Sequence, residues 1–244
     1  MSNACLIIIG NEVLSGRTQD VNLSFLGARL NEIGVRLTEA RVIADDTDVI
    51  VDTVNDCRAR YDYVFTTGGI GPTHDDITTA AIARAFGVEI YRDQKIVDLF
   101  LTHYTPKELN EERLKMCDFP VGASLIENPI SKAPGFQIEN VFVLAGVPMI
   151  MQAMYEALKD RLDGGKPMQS RAVVAYTGEG VLAKGLGAVQ DAHPGVEIGS
   201  YPFLRKGLLG SALVVRGSDE DALEAATQAV RDLIDGLGVE HHDE

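Results

Sequence analysis

Residues 66–76 read TTGGIGPTHDD, with Gly68, Gly69 and Gly71 followed directly by His74, Asp75 and Asp76. Glycines let the backbone come close to a ligand, and successive N–H groups just before a helix suit a phosphate. The carboxylates at the end of the same loop repel one. A divalent cation reconciles the two halves, because Mg²⁺ or a similar ion binds carboxylate and phosphate oxygens together. The loop lacks the lysine of GxxxxGK[ST] and the spacing of GxGxxG, so it is neither a Walker loop nor a dinucleotide fingerprint.

The residues before the loop set its structural context. Ala4–Ile9 is an apolar run ended by Gly10, and Leu23, Leu26, Leu30 and Ile33 then recur at helical spacing up to Gly34. Val35–Ala44 and Asp62–Thr67 read as two further strands, separated by a helix marked by Ile50, Val54, Cys57 and Tyr61. After the loop, Ile77–Phe86 reads as a helix closed by Gly87. This β-α-β-α-β-α order predicts an α/β fold whose mostly parallel sheet is covered by helices on both faces, a three-layer arrangement.

Tyr91–Asp118 is helical and polar, and Pro106 predicts a bend between two helices. Leu125–Asn140, with Pro129, Pro134 and Gly135, reads as irregular or as a hairpin. Asn140–Leu144 is a strand, followed by a helix with an expected buried stripe of Val147, Met151, Met154, Leu158 and Leu162. Asp163–Pro167 marks a linker, so residues 1–165 and 170–244 are expected to form separate domains. The second has the order β-α-β-β-α-β, a smaller ferredoxin-like α+β pattern, with Ser218 as the expected cap of its last helix and Leu223, Ala226, Val230 and Leu233 facing inward.

Composition limits the partners. A net charge of -14 repels polyanions, so neither nucleic acid nor an anionic membrane is expected as a partner. The run Arg205-Lys206-Gly207 reads as a solvated turn. Cys5, Cys57 and Cys117 form no CxxC pair and suit buried thiols in a reducing, cytoplasmic setting. The start MSNACLIIIGNE has no basic n-region, and no segment approaches the ~20 apolar residues of a membrane span.

In open parallel sheets, ligands bind beyond the carboxyl ends of the strands. The segments there are GNEVLSG with Glu12, the pair Asp45-Asp46, the glycine loop after Thr67, and Ala145-Gly146-Val147-Pro148. This places Thr67, Gly68, Gly69, Gly71, Gly146 and Pro148 as candidate ligand contacts, with Glu12 and Asn22 flanking the first loop. Asp76 and Asp45 are the candidate metal ligands and catalytic carboxylates. Simpler roles compete: Asp46 as a helix N-cap, Asp76 or Thr78 as a cap of the next helix, His74 as a solvated loop residue.

The segments IIIGNEVLSGRTQDVNLSFLGARLNEIGV and TTGGIGPTHDDITTAAIARAFG together resemble the molybdopterin-binding (MoaB/Mog) fold over residues 1 to about 165. They are more similar to the version that forms the N-terminal region of CinA, which is related to a domain attached to some FAD synthases. The second domain resembles the small one that follows in CinA, and no deamidase domain is expected within this chain. The resemblance implies a small-molecule ligand with a phosphate on a heterocycle, bound in a homo-oligomer, dimer or trimer. In the molybdenum-cofactor branch that ligand is molybdopterin, with carboxylates matching Asp45 and Asp76 supporting the chemistry. In the CinA branch it implies metal-dependent hydrolysis of ADP-ribose or related nucleotide pyrophosphates; the alternative is a non-catalytic molybdopterin- or nucleotide-binding module. One departure bears on catalysis. Where the family has Leu-Pro-Gly-x-Pro and an acidic residue two positions on, this chain reads LAGVPMIM, with Ala145 and Ile150 at those places.

Overall fold

The computed structural model describes residues 2–105, 108–205 and 207–244. They belong to two compact units, residues 1–165 and 166–244. The expected bend at Pro106 and the expected turn residue Lys206 lie outside the described residues.

The first unit grows from β1 (Asn3–Ile9), in which every residue from Ala4 to Ile9 is buried. A strand covered on both faces needs an unbroken apolar run, because alternate side chains enter different core layers. Next come α1 (Asn11–Leu14), α2 (Asn22–Glu32), β2 (Arg36–Ile43), α3 (Thr47–Arg60), β3 (Tyr63–Thr67) and α4 (Thr78–Phe86). Ala4, Leu6 and Ile8 pack in one layer with Leu26 and Leu30 of α2. Cys5, Ile7 and Ile9 face the other, with Ile50 and Val54 of α3 and Ala81 and Ile82 of α4. Truncating one of these buried side chains, as in Leu6→Ala, costs about 2–5 kcal/mol.

Beyond α4 the expected pair of helices is present, flanked by two short strands that were not expected. The chain forms β4 (Ile90–Arg92), α5 (Gln94–His103), the short α6 (Glu111–Leu114), a 3-10 turn and β5 (Asp118–Pro120). β4 and β5 pair with each other in a small antiparallel sheet of their own. Then β6 (Ser124–Ile126) and β7 (Gly135–Ile138), the hairpin reading of the sequence, lead into β8 (Val141–Leu144) and α7 (Pro148–Leu158). The main sheet has the order β2-β1-β3-β8-β7-β6. β2, β1, β3 and β8 are parallel, and β7 and β6 run antiparallel at the edge.

α7 buries Met151, Met154 and Leu158, but Val147 is 54% exposed and leaves the expected stripe. The reason is positional. Val147 is the extended residue that caps α7, with Pro148 at the helix start, so its side chain precedes the helical period.

The second unit comprises β9 (Gln169–Ala175), α8 (Glu179–Ala192), β10 (Glu197–Arg205), β11 (Leu208–Gly217), α9 (Glu220–Gly236) and β12 (His241–Asp243). Its sheet order is β10-β11-β9-β12, antiparallel throughout, so the central pair β9 and β11 is separated in sequence by a helix and a strand, as in a ferredoxin-like split βαβ. Val173, Leu213 and Val215 pack with Leu223, Ala226 and Val230. Two local expectations change here. Asp219, not Ser218, caps α9, its side chain accepting from the Ala222 N–H at 2.9 Å. Ile234 takes the fully buried place expected of Leu233, whose side chain packs instead toward Gly185 of α8.

Candidate functional site

The loops at the carboxyl ends of β1, β2, β3 and β8 meet around a cleft of about 730 Å³. That volume lies within the roughly 300–1,000 Å³ range of small-molecule sites. Glu12 and Asp45 line it, as do Gly68, Gly69 and Gly71, Asp75 and Asp76, and Gly146 and Pro148. Asn22 and Thr67 do not. They border a neighbouring chamber of about 50 Å³, which Glu12, Gly146 and Pro148 share.

The glycine loop is fixed by contacts that only glycine permits. Gly68 has φ +105°, and a Cβ there would stand 2.1 Å from the Ile9 carbonyl oxygen. Gly69 has φ +68°, and its Cβ would stand 2.1 Å from the Thr78 hydroxyl. Such approaches hold the loop flat against β1 and the first turn of α4. The Gly68 N–H, expected to point at an anion, instead donates to the Leu144 carbonyl at 3.1 Å and extends the β3–β8 pairing. The N–H groups of Gly69, Ile70 and Gly71 have no hydrogen-bond partner among the described residues.

The adjacent aspartates separate by role. Asp46 caps α3, its Oδ1 accepting from the N–H groups of Asp48 and Val49 at 3.0 Å each. Asp45 accepts from the Asn11 N–H at 2.8 Å through Oδ2, tying the loop after β2 to α1. Asp76 Oδ2 accepts from the Thr73 N–H at 2.8 Å and the Thr73 hydroxyl at 2.6 Å, folding the carboxylate over Gly71. It does not cap α4, whose N-cap residue is Ile77 with no side-chain bond. The Oδ1 atoms of Asp45 and Asp76 have no hydrogen-bond partner among the described residues. His74 is a solvated loop residue, with its side chain 98% exposed.

Among the described residues no group of three His, Cys, Asp or Glu side chains is placed to hold a metal by itself. The donors nonetheless suit a hard cation that draws its remaining oxygens from a phosphate and water, since Mg²⁺ is commonly held through one or two carboxylates plus substrate phosphates. Asp45 and Asp76 are the residues that would hold it.

Asn22 is a clamp. Its Nδ2 donates to the Gly146 carbonyl at 2.9 Å, joining α2 to the loop after β8, while its Oδ1 and the Thr67 hydroxyl are buried without a partner. Ala145, in the place of the family's proline, uses the N–H that proline lacks: it donates to Met154 Sδ at 3.4 Å. The turn is thereby tied to α7.

Sequence reasoning missed the outer wall, to which Tyr104, Arg113, Met116 and Asn128 contribute. Its only visible sign was the length of the excursion between β3 and β8, which is far longer than one helical crossover needs.

The comparisons with known proteins fall on the two units in turn. Residues 5–164 match the family described as a probable molybdopterin-binding domain, and residues 167–243 match the middle domain of FAD synthase. A probable FAD synthase of Caenorhabditis elegans is 34% identical over 259 residues, covering 96% of this chain and 50% of its own. The chain thus spans about half the length of that relative and of its Caenorhabditis briggsae counterpart. A protein of Caldivirga maquilingensis is 33% identical over 244 residues, covering 95% of both chains. Among solved structures, the CinA protein of Thermoplasma acidophilum, whose function is described as unknown, is 34% identical with a TM-score of 0.62 over 66% of this chain and 97% of that one. No helix among the described residues is long and apolar enough to cross a membrane. The family match spans the whole cleft-bearing unit, and the chain belongs to the molybdopterin-binding domain family.

Proposed function

We propose that the cleft binds a phosphate-bearing heterocyclic ligand and, with a divalent cation, hydrolyses a nucleotide pyrophosphate of the ADP-ribose type. The observation that carries the reading is the set of N–H groups on Gly69, Ile70 and Gly71, without a partner among the described residues, in the loop that leads into α4 and in the same cleft lining as Asp45 and Asp76. Backbone donors next to a helix start favour a phosphate. The molybdopterin of the family description and the FAD of the relatives' description are both heterocycles that carry phosphate.

Within this reading the Gly69–Gly71 amides bind phosphate oxygens and fix the ligand's register. Asp45 and Asp76 each keep one carboxylate oxygen for a Mg²⁺-like ion, and Thr73 and Asn11 hold the other oxygen in place. Bound there, such an ion supplies charge for the developing phosphoryl oxygens and lowers the pKa of a water. Val147, Ile150 and Met154 give the heterocycle an apolar wall. A dimer or trimer is part of the proposal, supported by Ile90 and Val121, which stand exposed. A cytoplasmic setting suits the three free, buried thiols.

A second reading, a binding module without turnover, is favoured by Ile150 lining the cleft where the resembling families have an acidic residue. Incubation with ADP-ribose and a series of divalent cations separates the two. Release of AMP that Asp76→Ala abolishes supports the hydrolase; binding without product in every cation supports the module.

A further inference from the structure

Beside the cleft lies a second, more open groove of about 590 Å³, and Pro72 and Arg113 line both. Arg113 is the only cationic side chain among the described residues lining either one. It shares the cleft lining with Glu12, Asp45, Asp75 and Asp76, in a chain whose net charge is -14.

Three contacts set its position. Its own N–H donates to Asn110 Oδ1 at 3.0 Å, which caps α6. Its guanidinium lies over the Tyr104 ring, 4.5 Å from the centroid. Its Nη1 donates to the Glu108 carbonyl at 3.1 Å. All these partners are neutral, and Arg113 makes no ion pair among the described residues. By contrast, Arg41, Arg92 and Arg231 are each tied to carboxylates. Its charge reaches the Glu108 carboxyl, which the Thr105 N–H and hydroxyl chiefly hold low, but no carboxylate stands at ion-pair distance. A guanidinium held in place by a ring and a carbonyl thus keeps its fork for an anion from outside the chain.

We propose that Arg113 binds the second phosphate of a ligand whose two halves are joined through pyrophosphate. The first half occupies the cleft, and the second, a sugar, enters the groove. There Glu112, which makes no hydrogen bond among the described residues, is a ready acceptor for sugar hydroxyls. Tyr104 is the positioning residue, since its ring holds the guanidinium plane. The assignment rests on the phosphate reading of the glycine loop and adds to it the residue that holds the second phosphate.

Calorimetric titration of the full chain in Mg²⁺, with ADP-ribose supplied as its non-hydrolysable methylene-bridged analogue and with AMP, tests it. The wild type should bind ADP-ribose more tightly than AMP. Arg113→Ala should weaken ADP-ribose by tenfold or more and AMP by less than about threefold, with an unchanged melting temperature. Arg113→Lys should restore only part of the loss, because an ammonium neither forks nor stacks as a guanidinium does. If Arg113→Ala fails to fold, Tyr104→Ala carries the comparison, and the same selective loss is expected. Equal losses for both ligands, or none, would overturn the role of Arg113 while leaving the glycine-loop reading intact. Failure of the wild type to bind either ligand would overturn both.

Discussion

The Thr78 hydroxyl donates to the Gly68 carbonyl at 3.0 Å while the Thr78 N–H donates to the Gly69 carbonyl at 2.9 Å. One fully buried threonine in the first turn of α4 thus secures two consecutive residues of the glycine loop. Thr78→Val keeps the volume but removes the hydroxyl, leaving a buried carbonyl short of a donor. The expected cost is about 1–3 kcal/mol in thermal or urea unfolding. A phosphate-bearing ligand should also bind about tenfold more weakly, because the unpartnered amides lose their fixed positions. A variant as stable and as tight as wild type would show that the loop holds its shape without this contact.

Asp45 and Asp46 are neighbours with separable roles, and the pair makes a sharp test. Asp46→Ala removes a helix cap and should cost about 1 kcal/mol of stability while leaving Mg²⁺-dependent binding in place. Asp45→Asn should do the reverse: the Asn11 contact survives through the amide oxygen, but the Mg²⁺-dependent part of the affinity falls about tenfold. Melting curves and titrations with and without Mg²⁺ read both effects.

These two aspartates also show what the sequence makes legible. Both sit at a strand's carboxyl end, so the rim of the sheet could be read from β1, β2, β3 and β8, whose apolar runs have one meaning when buried on both faces. Which aspartate turns to α3 and which to α1 is decided by backbone geometry one residue apart, and no pattern encodes it. The outer wall was hidden for a different reason. β4 and β5 have three residues each, too few to display a period, and α6 has four. The contacts that bring this excursion to the glycine loop are long-range, such as Lys115 Nζ donating to the Asp76 carbonyl at 2.8 Å. Arg113 therefore reads as one more charge on a polar helix until the fold places it.

The edge strand β2 carries a network in which pH acts in a defined direction. The Arg41 guanidinium first, and then the Tyr61 hydroxyl, hold the Glu39 carboxyl below its ordinary range. Arg41 first, and then Arg60, do the same for Asp56. A carboxyl held below its unfolded value stabilises the fold above that value and loses the contribution as pH falls through the folded one. The melting temperature should therefore decline below about pH 4. Glu39→Gln should melt lower than wild type at pH 7, and the two curves should converge in acid. Curves that stay parallel from pH 7 to pH 3 would place the acid sensitivity elsewhere.

The most direct measurement of the central claim is a calorimetric titration of the full chain with the non-hydrolysable methylene-bridged analogue of ADP-ribose, with and without Mg²⁺, repeated on Thr78→Val and Asp45→Asn. The structure predicts saturable binding of one ligand per chain, tightened by Mg²⁺, with the loop variant weakened under both conditions and the aspartate variant only when Mg²⁺ is present. Absence of binding in either condition, or binding that neither variant alters, would contradict the assignment of this cleft to a phosphate-bearing ligand.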